Sequence, residues 1–264
     1  MRLACQEQLL PGQSLTAKFD HVRRAGFDAI ELRGKGGFHF HERLPELRQA
    51  SRAGVPMPTV CVEMDHFVGD FDADLRRDAI NNLKSQLSVI AELGGTGVMT
   101  PAAYGMFSRR LPPFEPPRSS GDDHAVLGEA FTELGEHAAR EGVLIMLEPL
   151  NRYEDHMVNT LAAATSLCQQ IALDSVRVVA DFFHMQIEED DISESLRQAT
   201  PYLAHVQVSD SNRNQPGTGH IDWAAGLGTL DALGFDGHLA LECRLRGDPE
   251  QALPTTAAFL RRFA

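Results

Sequence analysis

The sequence has few cysteines and no long apolar run. Its four cysteines, Cys5, Cys61, Cys168 and Cys243, form no CxxC pair, which argues against a thiolate zinc site or a thioredoxin-type motif. Such sparse cysteines are typical of reduced thiols. No stretch approaches the ~18 apolar residues of a membrane-spanning helix, and the N-terminal residues lack the apolar stretch of a secretory signal peptide. We therefore expect a cytoplasmic protein that does not bind membranes.

Positive charge is also scarce. The chain carries 24 Lys and Arg against 37 Asp and Glu, a formal net charge of −13. Nucleic acids and anionic membranes are bound through basic surfaces, so we expect neither as a partner. Apolar residues make up 43% of the 264 residues and charged residues 23%, which allows a sizeable core and disfavours disorder. This balance suits an enzyme with a small-molecule substrate.

A glycine repeatedly separates a helical pattern from a short apolar run, as at Gly26, Gly54, Gly94, Gly142 and Gly234. Glycine is favoured just after a helix because it enters the left-handed conformation cheaply. The apolar runs are rich in Val, Ile, Leu and Ala, as expected of parallel strands covered on both faces. We predict strands at residues 2–6, 27–33, 58–64, 96–101, 143–149, 176–182, 203–209 and 237–243.

Eight strands in 264 residues give about 33 residues per strand–helix unit, which is typical of a (β/α)8 TIM barrel. A doubly wound sheet would normally carry a glycine-rich phosphate loop after the first strand, and residues 6–10 do not form one. We therefore predict one TIM barrel domain over residues 1–264. A proline-rich segment at 101–122 follows the fourth strand, and it could be a lid, an anion-binding loop, an oligomer contact or plain surface.

Polar residues stand where four of the predicted strands end. They are Glu148, Asp181, Gln207 and Glu242, separated by about one strand–helix unit each. Strand ends converge at one mouth of a barrel, so these side chains should meet there. Oxygen donors brought together need a cation, and this set favours Mn²⁺ or Mg²⁺, with Co²⁺ as a further candidate, over zinc.

Two further polar residues, Glu31 and His205, lie in predicted strands. Glu31 also ends a predicted strand, and for it we expect a surface or capping role as readily as a functional one. His205 shares a strand face with Gln207. We expect His205 to be packed in the interior or to act indirectly rather than to bind the metal.

A divalent ion that binds a carbonyl and a neighbouring hydroxyl stabilises an enediolate, and a carboxylate beside it can remove the C–H proton. Glu148 and Glu242, on opposite sides of a substrate, would allow proton removal on one face and return on the other, which is epimerisation. Return of the proton to the adjacent carbon would be aldose–ketose isomerisation.

Two segments carry a family resemblance. LEPLNRYE at 147–154 and DFFHMQIEE at 181–189 resemble the ketose 3-epimerases, such as the psicose and tagatose 3-epimerases, among the xylose-isomerase-like TIM barrels. The resemblance implies that Glu148, Asp181 and Glu242 bind the metal and that Glu148 and Glu242 also form the acid/base pair. It further implies that the substrate is contacted by Glu154, His184 and Arg213.

One metal ligand departs from that pattern. It is His in those epimerases, and the matching residue here is Gln207. Gln207, together with residues 215–219, resembles hydroxypyruvate isomerase and its relatives, in which this ligand is Gln. The departure affects the expected metal and substrate, not the expected chemistry.

The sequence thus predicts a divalent-metal-dependent isomerase or epimerase of a keto-sugar or small sugar acid, acting by proton transfer through a metal-bound enediolate. Alternatives are a hydroxypyruvate or 2-oxo-tetronate isomerase, an inosose- or dehydroshikimate-type dehydratase, and a phosphosugar isomerase that uses Arg109, Arg110 and Arg118. A nuclease related to endonuclease IV is disfavoured by the negative charge. A protein that only binds sugar would not need two glutamates beside a metal. We expect a homo-oligomer, either a dimer or a tetramer.

Overall fold

Eight parallel strands close into a barrel in the order of the sequence, with the first strand paired to both the second and the eighth. The computed structural model describes residues 1–106 and 115–263. The strands are β1 (Arg2–Gln6), β2 (Ala29–Lys35), β3 (Thr59–Glu63), β4 (Gly97–Thr100), β5 (Leu144–Leu147), β6 (Val176–Asp181), β7 (Leu203–Val208) and β8 (His238–Leu241). The predicted TIM barrel is confirmed.

Helices connect the strands and cover the outside of the barrel. They are α1 (Leu15–Ala25), α2 (His39–Glu42), α3 (Leu44–Arg52), α4 (Ala73–Glu92), α5 (Ser120–Glu141), α6 (Leu161–Ile171), α7 (Phe182–Glu188), α8 (Ile192–Ala199), α9 (Trp223–Ala232) and α10 (Pro249–Leu260). In the described part of the chain, no helix has the length and apolar character needed to cross a membrane.

Local sequence signals set the ends of several helices. Ser14 and Thr160 accept hydrogen bonds from the backbone N–H groups of the first turns of α1 and α6. Gly26 and Gly142 end α1 and α5 with φ angles of 91° and 72°, a region that costs other residues more. The glycine punctuation in the sequence therefore marks true helix ends.

The barrel interior is partly apolar and partly polar. Cys61, Met99, Met146 and Val179 pack together there as a small buried cluster. Glu31 lies within β2 and is fully buried. Of the two roles left open for Glu31, the surface or capping role is therefore wrong. Strand β2 begins and ends two residues later than predicted, and the Glu31 side chain is buried against Gln6 of the neighbouring strand.

Candidate active site

A cavity of about 780 Å³ opens at the carboxyl ends of the strands. Its wall includes five of the predicted site residues, namely Glu148, Glu154, His184, Arg213 and Glu242. Glu148 and Glu242 each lie one residue beyond the end of a strand, β5 and β8 respectively. This position at the mouth of the barrel is where TIM barrel enzymes hold their reactive groups.

Glu148, Asp181 and His184 form a compact polar group in the site. Each offers one atom able to bind a metal, and these three atoms lie within 4.8 Å of one another. His184 Nε2 is 3.8 Å from Glu148 Oε1 and 3.9 Å from Asp181 Oδ2. All three residues are at least 95% buried. Two buried carboxylates this close together repel each other, so the group is suited to a cation.

Hydrogen bonds from Asn151 fix the protonation pattern of His184. The backbone N–H of Asn151 donates to His184 Nδ1 at 3.0 Å, and its side-chain amide lies 2.8 Å from the same nitrogen. Burial, with Arg213 nearby, lowers the pKa of His184 to about 3, so the ring is neutral. Because Nδ1 accepts, the ring proton is on Nε2 and faces the carboxylates. This arrangement makes His184 a hydrogen-bond donor.

Arg213 joins two of the carboxylates. Its Nη1 is 2.8 Å from Asp181 Oδ2 and its Nη2 is 2.9 Å from Glu242 Oε2. The guanidinium also lies over the ring of Phe183, 4.7 Å from the ring centre. The other oxygen of Asp181 accepts from the backbone N–H groups of Phe183 and His184 at the start of α7. Asp181 is therefore both a helix cap and a site residue.

The loop that carries Arg213 is held by Asp210. The fully buried Asp210 carboxylate accepts hydrogen bonds from the Trp223 indole and from the backbone of Gly217 and Thr218. Burial opposes ionisation of Asp210, but hydrogen bonds from the Trp223 indole and from backbone N–H groups, among them those of Ser211 and Ile221, lower its pKa overall. Arg213 itself has φ of 59°, an uncommon backbone conformation for a non-glycine residue. Asp210 is not among the site residues predicted from the sequence.

Gln207 lies beneath this group, paired in register with Asp181 on the neighbouring strand. Its Nε2 donates to Glu31 Oε1 at 3.2 Å. Its Oε1 is buried and has no hydrogen-bond partner among the described residues. His205 Nε2 lies 2.7 Å from the other oxygen of Glu31. The packed position expected for His205 is confirmed.

Burial and neighbouring charges shift the pKa values of two glutamates in the cavity wall. Burial, together with the charges of Glu242 and Asp181, raises the pKa of Glu148 well above its usual value. Burial also raises the pKa of Glu154, which is half-buried in the cavity wall. Perturbed carboxyl groups in a cavity are typical of reactive or metal-binding sites.

The first half of the barrel adds residues that were not predicted from the sequence. Cys61 Sγ is 3.9 Å from Glu242 Oε1, and Arg33 Nη1 is also 3.9 Å from that oxygen. Arg118, a candidate phosphate contact, is already bound by Asp123 and by the carbonyl groups of residues 69 and 70. Arg109 and Arg110 lie outside the described residues.

Comparisons with known proteins agree with this geometry. Residues 19–263 match the family described as Xylose isomerase-like TIM barrel. The 3-dehydro-D-guloside 4-epimerase of Escherichia coli K12 is 37% identical over 263 residues, covering 99% of each chain. A D-psicose 3-epimerase of Ruminiclostridium cellulolyticum is 36% identical over 114 residues, 43% of this chain and 39% of the relative.

A solved structure matches over the whole chain as well. The apo structure of a 3-keto-D-glucoside 4-epimerase from E. coli has a TM-score of 0.93 and 36% identity, with 99% of both chains covered. The named relatives are epimerases, so the predicted enzyme class, an isomerase acting on sugars, is confirmed.

Proposed function

Because the chain belongs to the Xylose isomerase-like TIM barrel family, we propose that it is a divalent-metal-dependent epimerase that inverts C4 of a 3-keto-glycoside. The observation that carries this proposal is the 37% identity to a 4-epimerase along 99% of both chains. The ketose 3-epimerases, which the sequence motifs resemble, support the same chemistry at a different carbon.

The names of the two E. coli matches describe one reaction. A 3-keto-D-glucoside and a 3-dehydro-D-guloside both carry a ketone at C3, and they differ only in the configuration at C4. The hydrogen on C4 is acidic because it is next to the ketone. Its removal gives a planar enediolate, and return of a proton to the opposite face gives the other epimer.

Glu148 and Glu242 are suited to act as the two proton carriers. They follow β5 and β8, which are three strands apart in a ring of eight, so they approach the cavity from different sides. One carboxylate removes the C4 proton, and the other, protonated, delivers a proton from the opposite face. The roles exchange when the reaction runs backwards. A positioned acid or base of this kind contributes roughly 10²–10⁴-fold in rate.

The donor atoms fit a hard divalent cation, for which we propose Mn²⁺ or Mg²⁺, with Co²⁺ as a further candidate. The ion would be held by the carboxylates of Glu148, Asp181 and Glu242 and by the unpartnered amide oxygen of Gln207. Such an ion, when bound, stabilises the negative charge that develops on the ketone oxygen. His184 is not assigned as a ligand, because its Nδ1 accepts from Asn151 and its Nε2 carries a proton.

The remaining polar groups of the cavity would orient the substrate. Glu154, His184 and Arg213 line it and can hydrogen-bond hydroxyl and carbonyl groups. The cavity of about 780 Å³ has room for a whole glycoside, which argues against three-carbon hydroxypyruvate as the substrate. The occupied guanidinium of Arg118 weakens the phosphosugar alternative. The single domain, the homo-oligomer and the cytoplasmic location stay predictions from the sequence.

A substrate panel in D₂O tests this proposal. Methyl 3-keto-glucoside, D-psicose, D-fructose, hydroxypyruvate and fructose 6-phosphate are each incubated with the Mn²⁺-loaded enzyme and followed by NMR. We expect deuterium at C4 of the 3-keto-glucoside together with its 4-epimer. Turnover of D-psicose or a phosphosugar with none of the 3-keto-glucoside would contradict the proposal.

A further inference from the structure

Glu31 is a buried carboxylate that the proposed reaction does not use. It is fully buried inside the barrel, and polar side chains from three other strands, β1, β3 and β7, converge on it. Gln6 Nε2 donates to its Oε1 at 3.0 Å, and Thr59 Oγ1 donates to its Oε2 at 2.8 Å. From β7, Gln207 and His205 approach these two oxygens at 3.2 Å and 2.7 Å. Glu31 therefore connects Gln6 and Thr59 to Gln207 through hydrogen bonds inside the barrel.

The chemistry of this contact determines how the Gln207 amide is oriented. An ionised carboxylate only accepts hydrogen bonds, so the amide must turn its NH₂ group toward Glu31. Its oxygen must then point away from Glu31. That oxygen, Oε1, is buried without a hydrogen-bond partner among the described residues, which is rare for a buried polar atom. An acceptor left open in this way is suited to a ligand that accepts electron pairs, such as a cation.

We propose that Glu31 is a positioning residue that holds the Gln207 amide with its oxygen, rather than its NH₂ group, available to a divalent cation. This inference rests on the proposed function only in that a divalent metal is proposed to bind at this site. Without the carboxylate, the amide can rotate and present an NH₂ group, which cannot bind a cation. Partners that orient a metal ligand typically affect metal affinity by about 10–100-fold.

A double-mutant cycle on Mn²⁺ affinity tests the proposal without substrate. Isothermal titration calorimetry and the EPR signal of free Mn²⁺ give the affinity of the wild type, Glu31→Gln, Gln207→Ala and the double variant. We expect each single variant to bind Mn²⁺ about 10–100-fold more weakly. We expect the double variant to be no weaker than Gln207→Ala alone, because Glu31 acts through Gln207.

Thr59→Val is the matched control. It removes a hydrogen bond to the other oxygen of Glu31 and leaves the contact with Gln207 in place. We expect it to change the Mn²⁺ affinity less than about threefold, well below the effect of an orienting partner. Weakening equal to that of Glu31→Gln would overturn the proposal, since the barrel interior as a whole would then be responsible. The proposal would also be overturned if Glu31→Gln weakened Mn²⁺ binding equally in the wild type and in Gln207→Ala, because the loss of the Glu31 charge alone would then explain the weaker binding.

A second variant carries the test if Glu31→Gln does not fold. The exchanged pair, Glu31→Gln with Gln207→Glu, keeps the charge and lets an amide donate to the new ligand carboxylate. We expect this pair to bind Mn²⁺ at least as tightly as the wild type, and a folded pair that does not bind Mn²⁺ overturns the proposal. A non-additive cycle in a protein that does not turn over 3-keto-glycosides would refute the proposed function and leave this inference standing. An additive cycle in an active epimerase would do the reverse.

Discussion

Removal of the Arg213 charge should destabilise the metal-free protein. The loss of stability should be much smaller when a divalent metal is bound. The Arg213 guanidinium is 2.8 Å from an oxygen of Asp181 and 2.9 Å from an oxygen of Glu242. The Asp181 side chain is fully buried, so water cannot replace the lost partner. Arg213→Met keeps much of the apolar stem and removes the charge.

The magnitude follows from the burial of the partners. Breaking a buried ion pair by removing one member costs roughly 3–5 kcal/mol, because the other charge stays buried and unpaired. For a chain of this size, each 1 kcal/mol changes the melting temperature by about 2–4 °C. We therefore expect metal-free Arg213→Met to melt roughly 6–20 °C below the wild type.

Thermal melts with EDTA and with saturating Mn²⁺ measure this effect. Mn²⁺ should narrow the gap between Arg213→Met and the wild type, because the cation supplies the missing positive charge. Arg48→Met, which breaks an exposed pair with Glu92, serves as the control and should leave the melting temperature nearly unchanged. A metal-free Arg213→Met as stable as the wild type would refute the reasoning, as would equal stabilisation of both proteins by Mn²⁺.

Three further predictions concern metal, pH and the loop that carries Arg213. EDTA should abolish activity and Mn²⁺, Co²⁺ or Mg²⁺ should restore it, whereas full activity of the metal-free enzyme would contradict this. The Mn²⁺ affinity should also rise with pH, because the raised pKa of Glu148 keeps a proton on this carboxyl group that the ion must displace. Burial raises the pKa of Asp155 from 3.8 to about 7, so its folded form holds a proton more tightly and the free energy of unfolding falls as pH rises from about 4 to about 7. Asp155→Asn should flatten that pH dependence in urea titrations, and an unchanged slope would contradict the assignment. Asp210→Ala should release the loop and lower kcat/KM by about 10²-fold, whereas unchanged kinetics would show that Asp210 does not position Arg213.

The C-terminal half of the site was predictable because its signals are local. Glu148 and Glu242 directly follow apolar strands, and the glycines mark the helix ends before most of those strands. Barrel topology then brings distant strand ends to one mouth. That inference needs only the number and order of the strands, which the sequence periodicity supplies.

The roles of Glu31, Cys61 and Asp210 depend on the directions of their side chains, which the periodicity of the sequence does not determine. The role of Glu31 stayed open because the sequence does not show which side chains of β2 face the barrel interior. Cys61 resembles any apolar strand residue until the structure brings its sulfur near Glu242. Asp210 gains its role only when the loop folds back on it and Trp223 packs nearby. Such contacts join residues far apart in the chain.

Deuterium exchange by the two glutamate variants tests the central claim most directly. Wild type, Glu148→Gln and Glu242→Gln, each loaded with Mn²⁺, are incubated in D₂O with methyl 3-keto-glucoside or with its 4-epimer, and C4 is followed by NMR. We predict that each variant epimerises at least about 10³-fold more slowly than the wild type, because it loses a residue proposed both to bind the metal and to carry the proton. We also predict that the residual exchange in one variant favours one epimer and in the other variant the opposite epimer. Epimerisation at a rate near that of the wild type in either variant would contradict the two-glutamate mechanism.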